Sequence, residues 1–165
     1  MLIVLSGLPG TGKTTIAREL ARQIGAMHLR IDSIEQAIRD CSPAGLDEAG
    51  YRVAYAVAED NLRIGRTVVA DSVNPLHITR DAWREVGRRV GAVAVEFEVI
   101  CSDLHEHRNR VETRKTDIAG LRPPTWDEVI SREYEPWDRE RAVIDTASRS
   151  VEQNVKSIRE ALAQR

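Results

Sequence analysis

The octapeptide Gly7-Leu8-Pro9-Gly10-Thr11-Gly12-Lys13-Thr14 fits the spacing G-x-x-x-x-G-K-[ST]. Each fixed position answers a requirement of holding a chain of phosphates. Glycines let the backbone wrap an anion with no Cβ in the way, so that successive N–H groups point inward. A helix beginning directly afterwards adds the positive end of its dipole. Lys13 then reaches the β- and γ-phosphates as a point charge, and the hydroxyl of Thr14 suits Mg²⁺, a hard ion that takes oxygen ligands. The pattern therefore predicts ATP with Mg²⁺ as cofactors, and Gly7, Gly10, Thr11, Gly12, Lys13, Thr14 and Thr15 around the nucleotide. From composition alone, the fixed positions coincide by accident in roughly one chain of this length in a hundred or fewer.

A phosphate held this way needs somewhere to go. Asp32 follows the second apolar run of the chain, and in an open α/β sheet ligands collect at the carboxyl ends of strands. A carboxylate there orients an acceptor hydroxyl and takes its proton as the phosphoryl group moves across. The same segment has a purely structural reading, since Asp32 with Glu35, or Ser33 with Gln36, is spaced as a capping box. Asp71 ends another apolar run and is the expected holder of the Mg²⁺ water shell, with a turn cap as its alternative. Ser72, Asn74 and Arg80 follow in a Pro-containing loop; Asn74 and Arg80 join Asp32 as the expected acceptor-binding set, although surface turns use the same residues.

Further along, Arg108, Arg110, Arg114, Lys115 and Arg122 are interleaved with Glu106, Glu112 and Asp117. Closing such a segment over the nucleotide sets guanidinium groups against the charge that spreads over a transferring phosphoryl group, and keeps water out. A solvated face of weak ion pairs is the alternative. His28, His77, His105 and His107 show no metal-ligand spacing and read as structural or surface groups. Trp83, Trp126 and Trp137 read as packing residues, because aromatics are sparse and no basic patch surrounds them.

The elements that must position these groups are visible as apolar runs. Leu2–Leu5, Met27–Ile31, Thr67–Ala70, Ala92–Ile100 and Ala142–Ile144 predict five strands. Helical spacing predicts helices over Thr14–Ile24, Ile34–Asp40, Glu48–Ile64, Thr79–Val90, Asp103–Glu112, Trp126–Tyr134 and Val151–Ala163. Continuous apolar strands alternating with helices imply a parallel sheet covered on both faces, because parallel neighbours need crossover connections. The expected fold class is α/β, a three-layer sandwich on a five-stranded parallel sheet, in a single domain over residues 1–165. Residues 108–124, charged and carrying Gly120 and Pro123-Pro124, form a flap, or LID; Thr125 to Glu128 then fits a capping box that restarts the helix.

Net charge is −2, which lacks the strong positive field that backbone binding to nucleic acid requires. The opening apolar run is too short to span a bilayer and lacks the basic start of a signal peptide. Cys41 and Cys101 form neither a disulfide framework nor a metal motif and read as packing residues. A cytoplasmic protein acting on a small-molecule acceptor is the expectation, with no membrane or nucleic-acid partner.

Four segments together resemble the small P-loop kinases that include gluconate kinase, chloramphenicol phosphotransferase and the kinase part of polynucleotide kinase, within the wider AAA-type ATP-binding group. They are Gly7–Thr14, Leu29–Glu35, Val68–Ser72 and Arg110–Lys115. The resemblance implies a nucleoside-kinase-like P-loop NTPase fold and ATP- and Mg²⁺-dependent transfer of the γ-phosphate to an alcohol. By this likeness Lys13, Asp32 and Arg114 are catalytic, Asp32 positions or deprotonates the acceptor, Arg110 stacks near adenine and Arg114 contacts phosphate. The stretch Asp145-Thr146-Ala147-Ser148 resembles the loop that borders adenine in this group. The flap does not reproduce the gluconate-kinase pattern. A 5′-hydroxyl polynucleotide kinase and a nucleotide-dependent switch or binding ATPase are the competing readings.

Overall fold

A computed structural model describes residues 1–41 and 48–164. Its strands are β1 (Leu2–Ser6), β2 (Met27–Arg30), β3 (Val68–Asp71), β4 (Ala94–Ile100) and β5 (Ala142–Asp145). Between and after them lie helices α1 (Lys13–Ile24), α2 (Ile31–Cys41), α3 (Ala49–Arg63), α4 (His77–Arg89), α5 (Leu104–Thr113), α6 (Trp126–Ile130) and α7 (Val151–Ala163). The strands are all parallel and run in the order β2-β3-β1-β4-β5. The expected sheet and its helix layers are therefore present. Among the described residues no helix is long and apolar enough to cross a membrane.

Side-chain alternation along β1 divides the core between the two faces. Ile3 and Leu5 pack with Ile16, Leu20, Phe97 and Ile158 under α1 and α7. Leu2 and Val4 turn the other way, to Ala58, Trp83 and Val86 under α3 and α4. Both faces are covered, which is why every residue of β1 is buried and apolar up to Ser6. Chain order reverses at β1, whose neighbours are β3 and β4; such a switch point opens a crevice beyond the carboxyl ends of the strands.

Several boundaries differ from the periodicity reading, among them the helix expected over Trp126–Tyr134, which ends at Ile130. The second strand ends at Arg30, and α2 begins at Ile31 with no loop between, so Asp32 lies in the first helical turn and Ser33 inside the helix. Glu35 and Gln36 do not close a capping box: Glu35 accepts from Arg39, and Gln36 donates to Asp40. Residues Arg108 to Thr113 continue α5, started by Asp103 accepting from the Glu106 N–H and supported by the Arg108–Glu112 pair. Only 114–124 of the expected flap is irregular. The capping box at Thr125 and Glu128 is formed.

Asn74 and Arg80 turn out to be wholly buried. Arg80 donates to four carbonyls, those of Asn74, Pro75, Glu135 and Pro136. Its guanidinium carbon lies 4.2 Å from the Trp137 ring centroid, a stacking that suits a delocalised cation. One side chain thus bolts the 134–137 segment onto the β3–α4 loop. Arg80→Leu should therefore destabilise the fold by about 3 kcal/mol or more, because three carbonyls lose their donor while that of Pro75 keeps only the Glu135 N–H. Arg80→Lys should recover little, since an ammonium offers neither the planar fork nor the same stacking. Urea denaturation of both variants reads the difference.

Candidate active site

The loop from Gly7 to Gly12 leaves the end of β1 and enters α1 directly. Gly7, at φ +141°, passes so close to β4 that a Cβ would lie 2.1 Å from the Val99 carbonyl oxygen. Packing alone explains that glycine. Gly12 is different: at φ +90° it needs the left-handed region, yet a Cβ there would meet nothing closer than 3.9 Å. Its open side faces the cleft, so this position leaves a space that protein atoms do not fill. The first turn of α1 carries no acidic residue, which leaves the positive helix end free for an anion.

Lys13 is buried, and its ammonium donates to the Leu8 carbonyl at 2.8 Å. Burial lowers its pKa to about 8 from 10.5, against the opposing pull of Asp71 and Asp32; Arg114 and Arg132 add to the lowering. These four groups come from β3, α2, the start of the flap and the segment after α6. Strand register explains part of the convergence, since Arg30 stands beside Asp71 on the adjacent strand and Asp71 beside Leu5. His28 Nε2 lies 3.4 Å from Asp71 Oδ2. Ser72 Oγ is buried with no hydrogen-bond partner among the described residues, although the residue lines the cleft.

The cleft encloses about 980 Å³ and brings together Gly10, Gly12, Lys13, Thr14 and Thr15 with Asp32, Asp71, Arg110 and Arg114. Gly7 and Thr11 support it from behind; Thr11 is buried, with its hydroxyl bonded to the Leu8 carbonyl. Asn74 and Arg80 do not line it. Their expected contact with an acceptor has no counterpart here, because one is bonded to Ser6 and the other to backbone carbonyls. Arg110 is held against the loop after β5: its two terminal nitrogens donate to the Thr146 hydroxyl at 2.8 Å and the Thr146 carbonyl at 3.0 Å.

Two contributors were hidden in the sequence, and a third, Thr146, was expected only beside the base. His107, on α5, donates from Nε2 to the Pro9 carbonyl at 2.8 Å, and a Cβ on Gly10 would collide with Val111 and His107. Helix α5 thus props the loop from below. The Thr146 hydroxyl lies 3.0 Å from the Thr11 carbonyl. Arg132 lines the cleft within electrostatic reach of Lys13. No local pattern marks His107 or Arg132, and each of the three acts across a long stretch of chain. The tryptophans pack as expected, Trp83 edge-on to Tyr55 and Trp126 edge-on to His107, whereas Cys41 is exposed rather than packed.

The residues present fit a magnesium nucleotide. Lys13 has donors beyond the one given to Leu8, Gly12 leaves its side open, and Thr14, Asp71 and Ser72 supply oxygens of the kind a hard cation and its waters take.

A family model described as an AAA domain matches residues 2–153. A candidate adenylate kinase of Pyrococcus furiosus is 36% identical over 155 residues, covering 79% of this chain and 81% of that protein. An uncharacterized protein of Mycobacterium tuberculosis is 36% identical over 75 residues, 41% of this chain, and the match spans only 15% of that longer protein. Among solved structures, a kinase from Chloroflexus aurantiacus superposes with a TM-score of 0.73 at 18% identity, covering 96% of each chain. The APS kinase of Mycobacterium tuberculosis, in complex with AMPPNP and APS, superposes with a TM-score of 0.73 at 17% identity over 98% of this chain and 96% of that one. At these identities the structural likeness concerns the fold.

Proposed function

This chain belongs to the AAA-domain family, and from that premise and its likeness to a candidate adenylate kinase we propose that it is a P-loop kinase that moves the γ-phosphate of ATP onto a hydroxyl of a small molecule. The observation that carries this reading is the surroundings of Lys13: a buried ammonium within electrostatic reach of two carboxylates and two guanidinium groups that line one cleft.

In this reading Lys13 and the loop amides would hold the β- and γ-phosphates, Thr14 and Asp71 would hold Mg²⁺ and its waters, and Arg110 would flank the base beside Thr146. When bound, the metal would supply neutralisation of phosphate charge. Asp32 aligns the acceptor hydroxyl and receives its proton. Arg114 and Arg132 oppose the charge that develops on the phosphoryl oxygens. Glu35, one helical turn beyond Asp32, is pushed up in pKa by burial despite the Arg39 guanidinium, and would bond a second polar group of the acceptor.

The test is direct. The protein is incubated with ATP-Mg²⁺ and a broad panel of sugars, sugar acids, nucleosides, nucleotides and aminoalcohols, together with a 5′-hydroxyl oligonucleotide. Phosphorylated small molecule is the expected product. Product from the oligonucleotide alone would replace this reading by the polynucleotide one, and no transfer at all would remove it.

A proton-linkage measurement checks the nucleotide half independently. At pH 8 Lys13 is about half protonated before binding. Phosphates beside it raise its pKa, so ATP-Mg²⁺ should take up about half a proton at pH 8 and close to none at pH 6.5. Calorimetry in buffers of different ionisation enthalpy gives the number directly.

A further inference from the structure

We propose that the acceptor carries an anionic group and that Arg18 and Arg30 bind it, displacing the flap carboxylate of Asp117 that occupies them now. The inference rests on the phosphotransfer reading only for the identity of the ligand as acceptor; the anion site follows from the geometry alone.

Two guanidinium groups from different elements, α1 and β2, converge on Asp117: Arg18 reaches Oδ2 at 2.6 Å and Arg30 reaches Oδ1 at 2.8 Å. Their hydrogen bonds, that from Arg30 foremost, hold the Asp117 carboxyl well below the usual carboxylate range. The three partners are unequally placed. The Arg18 and Asp117 side chains are more than half exposed, but that of Arg30 is only 10% exposed. A buried guanidinium is costly unless its donors are satisfied. Here they are not, because Arg30 Nε has no partner among the described residues. Asp117 therefore meets one edge of the Arg30 group and leaves another donor unmatched.

Position says what would complete it. Arg30 stands beside Asp71 in the sheet and two residues before Asp32; Arg18 lies one helical turn beyond Thr14 on α1. The pair thus borders the side of the cleft where Asp32 would hold an acceptor. The flap residue that fills it belongs to an irregular segment, anchored locally by the Thr116 hydroxyl accepting from the Ile118 N–H. The cleft is lined by nine Lys or Arg side chains against five Asp or Glu, an inversion of the overall net charge of −2. Planar guanidinium forks match the paired oxygens of carboxylate, sulfate and phosphate. An anion that bonds both edges of Arg30 while keeping Arg18 satisfies a donor that Asp117 leaves open, and frees the flap.

Inorganic sulfate and inorganic phosphate are titrated into protein already saturated with Mg²⁺ and a non-hydrolysable ATP analogue, so that the phosphate loop is filled. Asp117→Asn, a change at an exposed side chain, should bind sulfate at least tenfold more tightly than wild type, and Arg30→Gln should lose that binding, with melting curves verifying that both are folded. Transfer is then compared across a neutral sugar alcohol, the matching aldonic acid, and its phosphate and sulfate monoesters. At least one anionic member should exceed the neutral one tenfold or more in kcat/KM, and the preferred member identifies the group. Arg30→Gln should reduce that advantage through KM. Sulfate affinity that ignores Asp117→Asn overturns the proposal. So does transfer to neutral and anionic acceptors alike, which would leave phosphotransfer itself standing. Asp117-dependent sulfate binding without transfer to any acceptor supports the anion site and removes the kinase reading instead.

Discussion

Lys13→Ala is expected to lower ATP-Mg²⁺ affinity by at least about 100-fold and to remove detectable transfer. Its ammonium lies against the loop, donating to the Leu8 carbonyl, and charge-assisted hydrogen bonds to phosphate contribute about 1.5–3 kcal/mol each; losing two of them costs about 3 kcal/mol or more, over a hundredfold in Kd. The fold should not suffer. The Leu8 carbonyl that accepts from Lys13 also accepts from the Thr11 hydroxyl at 2.9 Å, so the variant orphans no acceptor. Burial lowers the folded pKa of Lys13 to about 8, below the 10.5 of an ordinary lysine. The charged form is thus disfavoured in the folded protein. Between pH 8 and 10.5 the unfolded chain binds the extra proton, and without nucleotide the wild type gains stability as pH rises through that window. The alanine variant should lack this gain and melt no lower than wild type at pH 7. A variant that binds nucleotide normally would contradict the phosphate-cradle assignment, and one that is merely unfolded would contradict the expected retention of the fold. Calorimetry and thermal melting on the same samples separate the two.

The cradle was legible because its chemistry is local. Gly7, Gly12, Lys13 and Thr14 act within eight residues, and β1 and α1 on either side carry the apolar runs expected of buried elements. The sheet was legible for the same reason: strands covered on both faces are continuous apolar runs. What failed was anything decided by distant chain. Arg80 sits in a Ser-, Asn- and Pro-containing stretch that reads as exposed loop, but the acceptors that bury it come partly from Glu135 and Pro136. His107, spaced like an ordinary helix residue, meets Pro9 across nearly a hundred residues. Asp32 was placed after a strand by its position, while its start-of-helix setting depends on β2 passing into α2 without a loop. Short-range pattern carries periodicity and turn chemistry, and carries no record of which segment folds over which.

Asp32→Asn should lower the rate of transfer by about 10²–10⁴-fold while leaving ATP affinity within about threefold of wild type. The substitution keeps shape and removes the charge that accepts a proton, and such a general base contributes about 10²–10⁴ in rate. A loss confined to kcat, with KM for ATP little changed, marks an interaction made only in the transition state. A nucleotide-dependent switch predicts something else, since its slow hydrolysis has no need of an acceptor-side carboxylate. Location can be verified without knowing the acceptor. The negative charge of Asp32 raises the pKa of Lys13, so replacing it by a neutral amide should lower that pKa further below 8. Less of Lys13 is then protonated before binding, and proton uptake on adding ATP-Mg²⁺ at pH 8 should increase above the wild-type value. Unchanged proton uptake would separate Asp32 from the phosphate site, and unchanged transfer would leave the proton of the acceptor hydroxyl to another group. Glu35, half-buried one turn away with its pKa raised by burial, is the side chain that a Glu35→Gln comparison would then examine.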